Sequence, residues 1–334
     1  MTDEEFKRLL RLQNIFMPYV TKQQNEARTR QGVGPEDGLR FAHYTSADSA
    51  LKILQSKRLW LRNTTCMSDY SEVSLGFDML RKYFDPKRTQ DFADALDLSA
   101  PGVAMGANNN FNGWWNNRQQ LNIYISSLSE HDPKEEDTHG RLSMWRAFGN
   151  NSPTRVALIF KVQIPSRSEA VQALRILFSP VAYLKEAEVH QHIRDVAAKV
   201  AQEAAFLKTF DKNIIGNFLF LMLFAGVTCL KHEGFREERE WRVVYNDAVF
   251  PSPLMVPSLE VIGGVPQHIY KLPLDETVSP QLTDLDICRL VDRVIIGPSP
   301  YPWVLYRAFV EALKSARVPD AEHRVCVSNI PIRQ

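Results

Sequence analysis

Cysteine is scarce in this chain: four of 334 residues, Cys66, Cys229, Cys288 and Cys326, with neither metal-ligand spacing nor a framework pattern. That excludes a disulfide-stapled secreted scaffold and a Cys/His zinc module, so reduced thiols, a cytoplasmic setting and no metal are expected. Charge of one sign is lacking as well. Forty Lys and Arg residues balance 39 Asp and Glu to a net +1, so no whole-molecule attraction to nucleic acid or to an anionic membrane is expected. Any nucleic-acid role rests on local geometry. No apolar run reaches membrane length either: Ile214 to Leu230 spans 17 residues and contains Gly216 and Asn217, which predicts a buried helix. The first residues, Met1 to Glu5, lack the basic and apolar regions of a signal peptide. No internal repeat or low-complexity tract is present. With 44% hydrophobic and 24% charged residues, what remains is an ordinary globular chain able to bury a sizeable core.

The pattern of residues gives a coarse map. Thr2 and Glu5 have capping-box spacing ahead of an amphipathic helix carrying Phe6, Leu9, Leu10, Ile15 and Phe16. A loop at 31–38 delivers a strand over Leu39 to Thr45, followed by a helix from Ser46 to Gln55 and a short strand from Arg58 to Arg62. A helix is predicted around Asp91 to Leu98, then an Asn-rich loop from Asn108 to Asn117 bearing Trp114 and Trp115, read as a mobile element touching a partner or substrate. Strands are predicted over Leu121 to Ser129 and Arg155 to Val162, with a helix from Leu142 to Phe148 between them. Residues 167–212 read as helical. A strand from Glu238 to Asn246, one from Val291 to Ile296, a helix from Pro302 to Ala316 and a strand from Arg324 to Val327 complete the map. Strands and helices mixed without regular alternation point to an α+β fold. The expected organisation is an N-terminal helix and loop over 1–38, then one domain over 39–334 with insertions at about 85–120 and 167–212.

The stretch from Arg236 to Tyr245 carries the densest charge. Read as a strand, it puts Glu238, Glu240 and Arg242 on one side and Arg239, Trp241 and Val243 on the other. Two same-face carboxylates with Cα atoms roughly 6.5–7 Å apart repel when both are ionised. From the residues alone two readings stand: a solvated edge whose acids pair with Arg236, Arg239 and Arg242, or a chemical pair.

Several short elements occur together and in order: His43-Tyr44-Thr45 before the Ala50 to Leu54 helix, Ser68-Asp69 with Glu72, the Ser127-Leu128-Ser129 strand end, and Met144-Trp145. Lys231 then leads into Glu238-x-Glu240-Trp241-Arg242, followed by Ile296-Gly297-Pro298 and Ser328 to Arg333. The ordered set resembles the bacterial domain-of-unknown-function 2971 family, from about residue 40 to the C-terminus. Ser68 stands where that family usually has Asn, and Ile332 where Tyr is common. At the first strand and the Glu strand the family is in turn similar to ADP-ribosyltransferases. That resemblance implies a split β-sheet core with helical insertions and NAD as substrate. It implies His43, Tyr44, Thr45, Ser127 and Ser129 as cofactor-side residues, and Glu240 and Glu238 as catalytic ones. Arg40 and His43 lie on opposite faces of their strand, so only one addresses a given pocket; His43 is the choice here.

The chemistry fits those residue types. Loss of nicotinamide passes through an oxocarbenium-like ribose, whose growing positive charge a carboxylate such as Glu240 opposes, while Glu238 faces the acceptor. The resemblance implies transfer to a protein or nucleic-acid acceptor in a toxin or defence setting, with an antitoxin or defence partner. NAD glycohydrolysis and a non-catalytic recognition module are the alternatives. Arg58, Arg62, Arg118 and Arg146 are candidate contacts to nucleic acid. Trp145 and Trp241 read as core, and Glu135-Glu136-Asp137 as a solvated turn.

Overall fold

The computed structural model describes residues 2–66, 70–83, 90–148, 154–163 and 169–331. Ser68, Asp69, Ile332 and Arg333 lie outside the described residues. The chain folds as two compact units interleaved in sequence. The first takes Met1–Gln24, Asn63–Ile123 and Ser179–Arg236; the second takes Asn25–Arg62, Tyr124–Phe178 and Glu237–Gln334.

The first unit is mostly helical. Asp3–Phe16 starts at the expected capping box, Thr2 accepting from the Glu5 amide while the Glu5 carboxylate accepts from the Thr2 amide. The predicted Asn-rich loop is instead a helix, Val103–Asn116. Val103, Ala107, Phe111 and Trp114 recur at helical spacing and are buried, and the asparagines take the solvent side. Trp114 is therefore a core residue, edge-on to Phe224 at 5.5 Å, and Trp115 stacks on Phe77 at 3.5 Å. The apolar run forms the helix Lys212–Thr228, with Ile215, Leu219, Leu223 and Val227 buried. No helix among the described residues is long and apolar enough to cross a membrane.

The strands in chain order are β1 (Leu39–Ser46), β2 (Arg58–Asn63), β3 (Tyr124–Glu130), β4 (Arg155–Val162), β5 (Leu177–Pro180), β6 (Ala182–Tyr183), β7 (Leu230–Lys231), β8 (Glu240–Tyr245), β9 (Val256–Ile262), β10 (Val265–Pro273), β11 (Val291–Ile296) and β12 (Val325–Val327). Residues 177–180 are thus extended where the sequence reads as helical. The β9–β10 hairpin, turning at Gly263-Gly264, is an element the sequence reading lacks. A ten-stranded sheet runs β12-β11-β4-β1-β3-β2-β10-β9, with β8 paired to β3 off that path. Its pairs are antiparallel from β11 to β3 and from β2 to β9, and parallel between β11 and β12. The fold is α+β with a mostly antiparallel sheet.

Both faces of this sheet are packed. On one, Phe41, Leu59, Leu61, Leu158, Trp241 and Tyr245 join the large core with the helices Ala47–Ser56 and Pro302–Ser315. Trp241 contacts Phe41 at 5.1 Å and Phe178 at 5.2 Å. On the other, Ala42, Tyr44, Met144, Trp145, Ala157, Ile159 and Ile295 form a smaller core. Trp145, on the helix Leu142–Ala147, donates its indole N–H to the His139 carbonyl at 2.8 Å and meets the Tyr44 ring edge-on at 4.8 Å. Two glycines admit it. A Cβ at Gly140 would fall 2.8 Å from Trp145 Cζ2, and one at Gly297 would fall 2.9 Å from its Cε3 and Cζ3.

Gly140 has φ +68°, so Gly140→Ala combines left-handed strain with that clash. Gly263 has φ +59° and open space where a Cβ would sit, so Gly263→Ala carries the strain alone. Urea unfolding followed by near-UV circular dichroism should show a loss of about 2–3 kcal/mol for Gly140→Ala and about 1 kcal/mol for Gly263→Ala. Equal losses would mean that the indole does not hold Gly140 in place.

Candidate functional site

β3 organises the candidate residues. Its ladder with β8 sets Ser127 opposite Arg242 and Ser129 opposite Glu240, so these four side chains share one face. Strand β8 begins at Glu240, one residue after Arg239, whose φ of +45° breaks the extended run. Glu238 therefore closes the 3-10 turn Glu233–Glu238 and is not a same-face strand neighbour of Glu240, a correction to the alternation expected from the sequence. What Glu238 brings to this face is its backbone carbonyl, which accepts from Ser129 Oγ at 2.6 Å.

Glu240 is 6% exposed and Arg242 1%. Arg242 Nε donates to Glu240 Oε1 at 2.8 Å and its Nη2 donates to Oε2 at 3.2 Å, a forked pair between consecutive same-face positions. The Ser127 hydroxyl donates to Glu240 Oε1 at 2.5 Å. A carboxylate so deep in the fold needs these donors, since an unpaired buried charge costs several kcal/mol.

His43 approaches from β1. Strand β1 pairs with β3 only at Phe41↔Glu130 and Ala42↔Ser129, whereas it pairs with β4 from Leu39 to Ser46. Beyond Ala42 the His43 ring closes the gap, Nδ1 lying 3.1 Å from the Ser127 carbonyl. A carbonyl only accepts, so Nδ1 carries the proton, and Nε2 is an acceptor in the neutral ring. Burial holds the imidazole below its ordinary pKa, and the Ser127 hydrogen bond only partly opposes that shift. His43, Ser127 and Glu240 are thus joined through one serine, His43 by its carbonyl and Glu240 by its hydroxyl. The strand pleat itself puts Ala42, Tyr44 and Arg40 on the Glu240 side and His43 on the Phe41 side. Arg40 lies 3.0 Å from Asp292 in an ion pair.

Tyr44 is buried in the smaller core, and burial pushes its phenol well above the ordinary range. Its hydroxyl accepts from the Arg141 amide at 2.8 Å. Thr45 pairs with Val156 in the β1–β4 ladder and is half-buried. Arg146 is exposed on its helix, and Arg62 donates to Gln267 Oε1 at 3.1–3.2 Å. Glu72 lies in the first unit, 3.3 Å from the Lys231 ammonium.

Arg141 is the residue that the sequence reading missed. Its guanidinium donates to Ser129 Oγ at 2.8 Å, to the carbonyls of Glu237 at 2.9 Å and Glu238 at 3.2 Å, and to the Glu130 carbonyl at 2.7 Å. Its Nε donates to Glu136 Oε1 at 2.6 Å. One side chain ties the end of β3 to the turn that launches β8. Glu136 is 8% exposed, so the expected solvated turn is built inward at that residue, although Glu135 remains exposed. Asp137 lies beside His131 and Arg293, at 3.2 and 3.1 Å. Burial raises the Asp137 carboxyl pKa, but those two partners outweigh it and hold the pKa below the usual value. No sequence signal marks this role, since three of the five acceptors of Arg141 are backbone carbonyls.

Because the folded state resists protonating His43, the unfolded chain binds the extra proton as pH falls below about 6.5. Stability from this residue is complete above that pH and is lost as pH falls toward the lowered folded value. The difference in unfolding free energy between the wild type and His43→Gln should shrink between about pH 7 and pH 5. A difference that does not change with pH would mean that His43 titrates alike in both states.

A family model described as protein of unknown function (DUF2971) matches residues 144–243, the stretch that opens at Met144-Trp145 and closes within β8. No curated protein and no solved structure matches the chain.

Proposed function

We propose that the chain is an NAD-dependent ADP-ribosyltransferase-like enzyme that uses Glu240 as its catalytic carboxylate and acts on a protein or nucleic-acid acceptor. The observation that carries this reading is the junction of His43, Ser127 and Glu240 on β1, β3 and β8, where β1 parts from β3. The residue types suit NAD. A fixed carboxylate opposes positive charge growing on the nicotinamide-bearing ribose, and its donors, Ser127 and Arg242, hold it in place before the charge develops. His43 lies on the opposite side of the pleat from Glu240, so it would meet NAD only across the gap where β1 parts from β3; with Nδ1 protonated, its Nε2 is an acceptor for a ribose hydroxyl. Ser129 and Arg141 fix the turn that carries Glu238, the residue assigned to the acceptor side. An antitoxin or defence partner follows from the resemblance of the motif set rather than from this geometry.

One observation favours a second reading. A Glu240–Arg242 pair this deeply buried is also what a purely structural ion pair looks like, and a recognition module would need nothing more. Nicotinamide release from NAD by the full-length protein, with and without cell lysate, separates the functions: release only with lysate means transfer, release without it means glycohydrolysis, and no release in either supports the module.

Two substitutions test the residues. Glu240→Gln retains size and hydrogen bonding but removes the charge, so release by the folded variant should fall at least about 100-fold with NAD affinity nearly unchanged. Full release from folded Glu240→Gln sinks the catalytic assignment, and a loss confined to stability makes Glu240 the structural partner of Arg242. Glu238→Gln should lower transfer to acceptor more than NAD cleavage, as paired nicotinamide-release and acceptor-labelling assays would show.

A further inference from the structure

The first unit contains a pocket of about 110 Å³ that is open to solvent. It lies among Asp3–Phe16 and the residues just after it, the helices Glu186–Gln202 and Lys212–Thr228, and the start of β7. An apolar wall left open to water is unfavourable, so a pocket of this size and lining needs a cause. The cause is local. Ala182, Ala225 and Gly226 contribute little or no side chain to the wall, and a Cβ at Gly226 would meet Leu80 Cδ1 at 3.1 Å, so that helix face rides close to its neighbour without filling the gap.

The wall chemistry limits what fits. Phe16, Val20, Ile193 and Leu223 make it apolar, and Met17 and Met222 add flexible thioethers that adapt to a guest. Among the described residues no Lys, Arg, Asp or Glu lines it. A charged guest would therefore lose its hydration without gaining a partner. The polar groups at the wall are few, and the ring of His192 is the most versatile of them. It packs edge-on against Tyr19 at 5.8 Å, and burial holds its pKa below the ordinary range, so it is neutral at pH 7. A neutral imidazole can give or take one hydrogen bond.

We propose that this cavity is a binding site for a small, uncharged, largely apolar molecule of about the size of a benzene ring, carrying at most one hydrogen-bonding group directed at His192. The scale is physical: a dry apolar cavity of roughly 150 Å³ binds benzene. The site lies wholly within the first unit and does not rest on the enzymatic reading above.

Benzene, phenol and hexanoate are the probes, titrated calorimetrically into the full-length protein at pH 7 in closed cells. Benzene and phenol should each bind saturably at one site, phenol more tightly, with hexanoate at least about tenfold weaker. His192→Phe keeps an aromatic ring without the hydrogen bond, so phenol should drop to the affinity of benzene while benzene changes little. Ala225→Leu should fill the space, weaken both neutral probes at least about tenfold and leave the melting temperature unchanged or raised. No saturable binding of benzene or phenol to the folded wild type overturns the proposal, as does hexanoate binding as tightly as phenol. If Ala225→Leu does not fold, the wild-type isotherms and His192→Phe decide the matter alone.

Discussion

Strand β3 has two edges and three neighbours, and the candidate site is built around that excess. One edge is taken along its length by β8, so β1 and β2 must share the other. β1 holds two ladder positions at the C-terminal end of β3 and then leaves it, while staying paired with β4 across eight residues. A backbone carbonyl at such a parting has lost its strand donor and, when buried, must find another. Ser127 is at that point, and the His43 imidazole supplies the missing hydrogen. The His43 contact follows from the place where two strands run out of room, while the serine hydroxyl and the support of the Glu240 carboxylate follow from the uninterrupted β3–β8 ladder.

A second constraint keeps the parting in register. Trp145 needs Gly140 and Gly297 on opposite edges of its ring, and its indole N–H meets the His139 carbonyl, which also accepts from Ser328 Oγ. The helix bearing it follows Arg141, whose guanidinium binds the end of β3 and the entry to β8. Met144-Trp145, Gly297 and Ser328, scattered along the sequence as separate short motifs, thus form one packed assembly. The size of an indole ring accounts for their meeting in space, and reactive chemistry is not needed to explain it.

Much of the fold was legible because local rules were strong. The capped first helix, the strand at Leu39, the helix after it and the strand over Arg155 to Val162 each satisfy a short-range pattern that tertiary packing reinforces. The errors occurred where composition and spacing disagreed. Asparagines suggested a loop over 108–117, but Val103, Ala107, Phe111 and Trp114 repeat at helical spacing, and burying them outweighed the weak propensities of the rest. The β9–β10 hairpin was missed even though Gly263-Gly264 is a turn signal, because β9 reverses the usual alternation: Leu259 and Val261 are exposed while Ser258 and Glu260 are half-buried. At the site, Glu240 with Arg242 and the serine pair could be read from period two. The positive φ of Arg239, which removes Glu238 from the strand, had no sequence sign, since arginine rarely adopts it. Arg141 was invisible for a different reason: most of its partners are backbone carbonyls, which carry no residue identity.

The interleaving of the two units also orders events during synthesis. Every segment of the first unit has been made by residue 236, while the second still awaits everything from Glu237 onward, including β8 to β12. Domains close as their chain emerges from the ribosome, so the helical unit can consolidate first. The sheet, by contrast, holds β1 to β4 with neighbours missing until the final quarter of the chain is translated. Glu240 is therefore delivered late, into a framework whose serine and histidine are already waiting. A nascent chain stalled before that point carries an open sheet edge, which makes it prone to aggregation, and lacks the Glu240 partner of the Ser127 hydroxyl.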